Sequence, residues 1–213
     1  MTIRRHWFWI KTVRKIDFTI IVLAYHGTRT LPELFQSLEL AMNRAPEKTF
    51  EVIMVINGPA PRLAPILEEY AQNPLWKFVH LEKPLAPPLA RNHALARAHG
   101  AWVVYFDDDI SVPDHYFAKL SEFAESEASV IGGPNLNPPD SSSFEDTTGR
   151  ILGSRLITGP FASRYAARGK SRLTHKDWRF ILCNLAVRRN SAKMFSADMP
   201  FGEENAMLLD LGF

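Results

Sequence analysis

Trp102-Val103-Val104-Tyr105-Phe106-Asp107-Asp108-Asp109 decides how this chain is read: an apolar run passes straight into three carboxylates. The run has the form of a strand covered on both faces. Adjacent carboxylates repel one another by about 1 to 4 kcal/mol per pair at about 4 Å in watery to surface-like surroundings. The end of a buried strand holds such charge poorly unless a cation compensates it. Hard divalent cations take carboxylate oxygens and keep water or phosphate as their other ligands. Three aspartates in isolation read equally as a solvated acidic turn. Their place after a buried strand and before Ile110-Ser111-Val112-Pro113-Asp114 favours the cation.

Working outward, strand-like and helix-like patterns alternate. Phe18 to Leu23 is a continuous apolar, β-branched run. Thr30-Leu31-Pro32-Glu33 has the form of a capping box with proline in the first turn, and Leu31, Leu34, Phe35, Leu38, Ala41 and Met42 follow at helical spacing. Val52 to Ile56 reads as the next strand, broken by Asn57-Gly58-Pro59. Leu63, Ile66, Leu67 and Tyr70 mark a helix, Phe78 to Leu81 a short strand, and Leu89 to Ala98 a further helix ended by Gly100. Such alternation predicts an α/β fold with a mixed, mostly parallel sheet flanked by helices. Ligands of these sheets sit beyond the carboxyl ends of the strands. That rule gathers Ala24-Tyr25, Asn57-Gly58 and Asp107 to Asp109 on one rim.

From Pro134 to Lys176 the texture changes. Asn135-Leu136-Asn137-Pro138-Pro139 and Ser141-Ser142-Ser143 are loop-forming, and Gly149 to Arg172 shows no clear period. A long stretch of this kind reads as a substrate-facing insertion. Phe180 to Val187 reads as a return to the core.

The net charge of +2 does not suggest a nucleic-acid partner. The single cysteine, Cys183, cannot form an internal bridge, which fits a reducing, cytoplasmic setting. Residues 1–16 form a basic, aromatic arm: Arg4, Arg5, Lys11, Arg14 and Lys15 interleave with Trp7, Phe8 and Trp9, and no acid precedes Asp17. The arm reads either as a loosely docked extension or as a segment resting on the inner, anionic face of a membrane.

Together these pieces resemble a family-2 glycosyltransferase, an inverting family with the GT-A (Rossmann-like) fold, from about Asp17 to Gly212. The first strand leads into Leu23-Ala24-Tyr25-His26, which keeps the tyrosine of the family's opening turn. The second ends in Val55-Ile56-Asn57-Gly58-Pro59, where Ile56 stands in place of a common acidic residue. Ala90-Arg91-Asn92, the DxD-like Asp107-Asp108-Asp109 with Val112-Pro113-Asp114, Gly132-Gly133-Pro134, Asn184-Leu185-Ala186-Val187-Arg188-Arg189 and Gly202-Glu203-Glu204-Asn205 follow in the family's order. The resemblance implies one domain over 17–213, with a nucleotide-sugar-binding half at 17–133 and an acceptor-side half at 134–213 that is short at its C-terminus. A protein partner completing the acceptor side is one way to accommodate that shortness.

By the same resemblance, Ala24 and Tyr25 lie against the nucleobase, and Asn57 reads a base edge with its donor and acceptor. Arg91 reaches the diphosphate or, alternatively, pairs with the aspartates. Asp109 is the first choice as ligand of Mn2+ or Mg2+, Asp107 contacts the ribose or the water shell of the metal, and Asp108 can exchange roles with Asp109. Glu204 is the catalytic base, with Glu203 as the neighbour to test against it. Trp178, Asn184 and Arg188 face an acceptor that is a glycan, a lipid-linked glycan or a polysaccharide. Two other readings stand beside this one. A non-catalytic nucleotide- or glycan-binding subunit is motivated by Asn57 and Ile56. A nucleotidyltransferase is disfavoured because Ala24 to Arg29 makes a poor glycine-rich loop.

Overall fold

The computed structural model describes residues 15–25, 29–167, 171, 179–199 and 202–212. The parallel part of the sheet comes from strands β1 (Phe18–Ala24), β2 (Phe50–Asn57), β3 (Trp76–Leu81) and β4 (Trp102–Asp107). Helices α1 (Leu31–Asn43), α2 (Ala64–Ala71) and α3 (Pro87–Leu95) connect them. After β4 come α4 (Tyr116–Ala124), β5 (Val130–Gly132), α5 (Ser143–Leu152), α6 (Arg155–Thr158), β6 (Leu185–Arg188) and α7 (Glu203–Asp210). The six strands lie in the order β3-β2-β1-β4-β6-β5, with β6 antiparallel to both its neighbours. This is the mixed, mostly parallel sheet read from the alternation.

Both faces of the sheet are covered, which is why its central strands are apolar throughout. Successive side chains of β1 go to opposite sides: Ile20 and Val22 meet Leu34, Phe35 and Leu38 of α1 with Phe117 of α4, while Ile21 and Leu23 meet Ala90 and Ala94 of α3 and Met207 and Leu208 of α7. The alanines of α3 let that helix lie close to the sheet. Gly100 allows another close approach, because a Cβ there would stand 2.3 Å from the Thr19 nitrogen.

Two helix starts differ from the sequence reading. Thr30 caps α1 by position, but its hydroxyl makes no bond to the helix. It donates instead to the carbonyl of Asp108 at 2.8 Å, tying α1 to the acidic turn. A complete capping box occurs at Ser142 and Glu145, inside the stretch read as loop, and opens α5. No α5 side chain is buried, and its apolar residues Phe144 and Ile151 are exposed, so the helix stands apart from the core pattern that marked the others.

At the end of the sheet opposite the rim sits a buried acid, Glu51. Thr19 Oγ1 and the His99 N–H donate to its Oε1, both at 2.6 Å, and Lys77 Nζ binds Oε2. Burial pushes the carboxyl up, but these hydrogen bonds outweigh it and hold Glu51 below the usual carboxylate range. Its stabilisation is therefore complete above the unfolded value near 4.5 and is lost as pH falls through the lower folded value. Glu51→Gln is expected to cost about 1.5–3 kcal/mol at pH 7. The difference from the wild type should shrink on acidification below that value, as read from urea midpoints at both pH values.

Candidate active site

The sheet register places the rim residues side by side: Leu23 lies opposite Asp107, and Ala24 opposite Ile56. The Tyr25 N–H donates to Asp108 Oδ2 at 3.2 Å, and the Val112 N–H to Ser37 Oγ at 3.1 Å, so the acidic turn is fastened on both sides to β1 and α1. Burial raises the Asp108 carboxyl, the charges of Asp109 and Asp107 add to the rise, and the Tyr25 N–H opposes it. Asp109 is exposed and Asp107 about two-fifths exposed. Among the described residues no group of three or more His, Cys, Asp or Glu side chains closes around one point. The turn is thus an open set of one or two carboxylates. That suits a hard cation whose remaining ligands are phosphate and water, and it does not suit an all-protein cage.

Asn57 takes a position not expected from the sequence. Its side chain donates to the Leu85 carbonyl at 2.9 Å and accepts the Leu85 N–H at 2.8 Å, and the residue is 1% exposed. Its amide edge faces the chain leading into α3, not the open rim. Tyr25 Oη donates to the same Leu85 carbonyl at 2.9 Å. Gly58 follows with φ 101°, a conformation that favours glycine, and brings the turn against Pro84.

Arg91 joins the two halves of the site. Its side chain is 8% exposed; Nη2 donates to Asp107 Oδ1 at 2.7 Å and Nη1 to Glu203 Oε1. Of the two readings given to Arg91, the ion pair with the acidic turn is the one observed. Glu203 and Glu204 open α7 behind Gly202, whose φ of 69° turns the chain into the helix. Both acids are buried, in the first turn where the helix dipole favours them. Burial raises the Glu204 carboxyl, and Glu203 adds to this, while its own backbone N–H, Arg164 and Arg91 pull it down. The Cys183 thiol is pushed up to about 12, first by burial and then by the charges of Asp107, Asp109 and Glu204.

The remaining sequence-derived residues divide. Asn184 is a structural knot. It donates to the Pro134 carbonyl at 2.9 Å and accepts from Tyr116 Oη at 3.0 Å, fixing Gly132-Gly133-Pro134 beside β6. A Cβ on Gly132 would stand 2.4 Å from the Phe180 ring, which accounts for the paired glycines. Arg188 is a correction. It pairs with Trp102 at the start of β4, at the sheet end away from the rim. There it stacks 4.5 Å over the Trp102 ring and donates to the Ala128 and Ser126 carbonyls at 3.2 and 2.9 Å. A strand running antiparallel to β4 carries its last residue away from the rim. Trp178, His26 and the arm at 1–14 lie outside the described residues. Arg164, which touches Glu204, had no motif to single it out.

With this geometry in place, residues 19–195 match the family described as "Glycosyl transferase family 2". The chain belongs to that family and is a glycosyltransferase domain. It is 28% identical over 150 residues to the poly(ribitol-phosphate) beta-N-acetylglucosaminyltransferase TarS of Staphylococcus aureus, covering 67% of this chain and 26% of that protein. It is 25% identical over 121 residues to the succinoglycan biosynthesis protein ExoO of Rhizobium meliloti, covering 57% of this chain and 33% of that one. It therefore spans about a quarter to a third of the curated relatives it matches. Among solved structures, S. aureus TarS 1-349 in complex with UDP superposes with a TM-score of 0.64 at 18% identity, covering 92% of this chain and 55% of that one. The mannosyltransferase PcManGT of Pyrobaculum calidifontis, in complex with GDP-Man and Mn2+, gives 0.60 at 17% identity, covering 88% and 49%. These likenesses show the GT-A fold. Among the described residues no helix is long and apolar enough to cross a membrane.

Proposed function

We propose that this domain transfers a sugar, with inversion, from a nucleoside-diphosphate sugar to a hydroxyl of a glycan, lipid-linked glycan or polysaccharide, in a cytoplasmic setting. The observation that carries the reading is the guanidinium of Arg91, which binds the acidic turn and the acid-bearing end of α7 at once. Donor side and base side are thereby held one side chain apart. The relatives support the donor class: TarS is solved with UDP-GlcNAc, and PcManGT with GDP-Man and Mn2+.

In this reading Glu204 accepts the proton of the acceptor hydroxyl as its oxygen bonds to the anomeric carbon. The bond from that carbon to the diphosphate oxygen breaks, and the electron pair leaves with the nucleoside diphosphate. Asp109, with Asp107 and Asp108 beside it, would hold a divalent Mn2+ or Mg2+ ion. Such an ion supplies a positive charge where the leaving diphosphate gathers negative charge. Arg91 holds Asp107 in place through its hydrogen bond to Oδ1. Glu203, bound by that same arginine, anchors α7 and leaves the proton to Glu204. Tyr25 provides a ring beside the base site, and Asn57 shapes that site through Leu85.

Thermal unfolding across UDP, GDP, CDP and ADP, with and without Mn2+, tests the donor side. Binding confined to the folded state at a hundredfold excess over Kd adds about 2.7 kcal/mol. For a domain of this size that is roughly a 5–10 °C rise. Asp109→Ala is expected to fold normally, because Asp109 is exposed, and to lose the Mn2+-dependent part of the rise. No stabilisation by any diphosphate would remove the donor assignment. Binding without turnover of the matching nucleotide sugar would instead indicate the non-catalytic reading.

A further inference from the structure

Arg164 ends the 3-10 segment Gly159–Arg164, on the acceptor-side half of the chain. Its carbonyl accepts the Asn135 N–H at 2.7 Å, which pins the segment beside the chain leaving β5. Its guanidinium reaches α7: Nη2 donates to Asn205 Oδ1 at 3.1 Å, and Nη1 stands 3.8 Å from Glu204 Oε1. The Phe161 ring lies 5.1 Å from the guanidinium carbon on the other side. The Arg164 and Glu204 side chains are 13% and 10% exposed, so water screens the pair little.

We propose that Arg164 is a positioning residue for Glu204, carried by the acceptor-side segment, so that docking of that segment orients the base and sets a cation beside it. The inference rests on reading Glu204 as the base. Among the described residues the other groups facing Glu204 are Glu203 on its own helix, Arg91 from α3, the Cys183 thiol before β6 and Asn205, whose Nδ2 donates weakly to Glu204 Oε1 at 3.4 Å. Arg91 already answers Asp107 and Glu203 through direct hydrogen bonds. Among the described residues Arg164 is the cation that comes within 4.0 Å of a Glu204 oxygen, at 3.8 Å. At 3.8 Å the Nη1 to Oε1 separation is longer than a hydrogen bond. The pair can favour the carboxylate form without filling the lone pair that must take the proton. Asn205 aims the guanidinium, and Phe161 supports it through a cation–π contact.

The test compares Arg164→Lys, Arg164→Gln and Asn205→Ala with the wild type. The Glu204 carboxyl is titrated by carbon NMR on glutamate-labelled protein, and hydrolysis of the nucleotide sugar that stabilises the wild type best is followed across pH. In Arg164→Gln the Glu204 midpoint is expected to move to higher pH, and the acid limb of kcat to move with it. At neutral pH kcat should fall about tenfold or more, with donor KM unchanged. Arg164→Lys should retain most of both properties. Asn205→Ala releases the guanidinium without removing it, also removes the weak donation from Asn205 Nδ2 to Glu204 Oε1, and should move the midpoint the same way. A Glu204 midpoint unmoved in Arg164→Gln and Asn205→Ala, or equal losses in the lysine and glutamine variants, would overturn the proposal. The titration requires no turnover. A wild type that binds but never hydrolyses its nucleotide sugar would therefore sink the base assignment while the titration still reads the arginine–glutamate link.

Discussion

Glu204→Gln is expected to lower sugar transfer by about two to four orders of magnitude, the range a positioned general base supplies. Glutamine matches the carboxylate in size, so the packing of α7 and the hydrogen bond between Arg164 and Asn205 should persist. What disappears is the group proposed to receive the proton. Donor binding should be retained, since the acidic turn is untouched, and diphosphate-induced thermal stabilisation checks that independently of rate. Glu203→Gln provides the contrast. Its carboxylate is bound by Arg91, so its loss should register mainly as lowered stability. A kcat loss confined to Glu203→Gln, with Glu204→Gln active, would exchange the two assignments.

Arg91→Ala is expected to destabilise the domain by about 3–5 kcal/mol, the cost of breaking a buried ion pair from one side. For a chain of this length that is on the order of 10 °C in the unfolding midpoint. The cost arises because the buried Glu203 loses its guanidinium partner, with Asp107 losing its partner as well. The double variant Arg91→Met with Glu203→Leu should recover most of the stability, because replacing both partners by apolar groups removes the uncompensated charge. It should not recover transfer, since Asp107 and the start of α7 would no longer share a guanidinium. Urea unfolding of the single and double variants measures the coupling. A single-variant cost below about 1 kcal/mol would show the pair to be incidental, as surface pairs commonly are.

Periodicity read well wherever burial repeats along one element. The α1 stripe from Leu31 to Met42 is the set of residues that helix buries, and β1, β2 and β4 occupy the places their apolar runs foretold. The rim followed because parallel strands must end together. Side chains that act across the chain were less legible. Thr30 has the capping motif, yet its hydroxyl turns to a carbonyl brought near only by the fold. Asn57 offers donor and acceptor in any reading, and nothing local says that Leu85 will use both. Arg188 could be placed only once β6 was known to run antiparallel. Arg164 ends a short 3-10 segment, and its partner Asn205 is 41 residues further along the chain, so no local period marks it.

The reversed direction of β6 has an evolutionary consequence. Because β5 ends and β6 begins at the rim end of the sheet, where Gly132 faces Leu185, everything between them is an excursion that departs from and returns to one edge. Such a loop can be lengthened, shortened or rewritten without altering strand register. Sequence between β5 and β6 is then free to drift separately from the acidic turn and the strands that carry it.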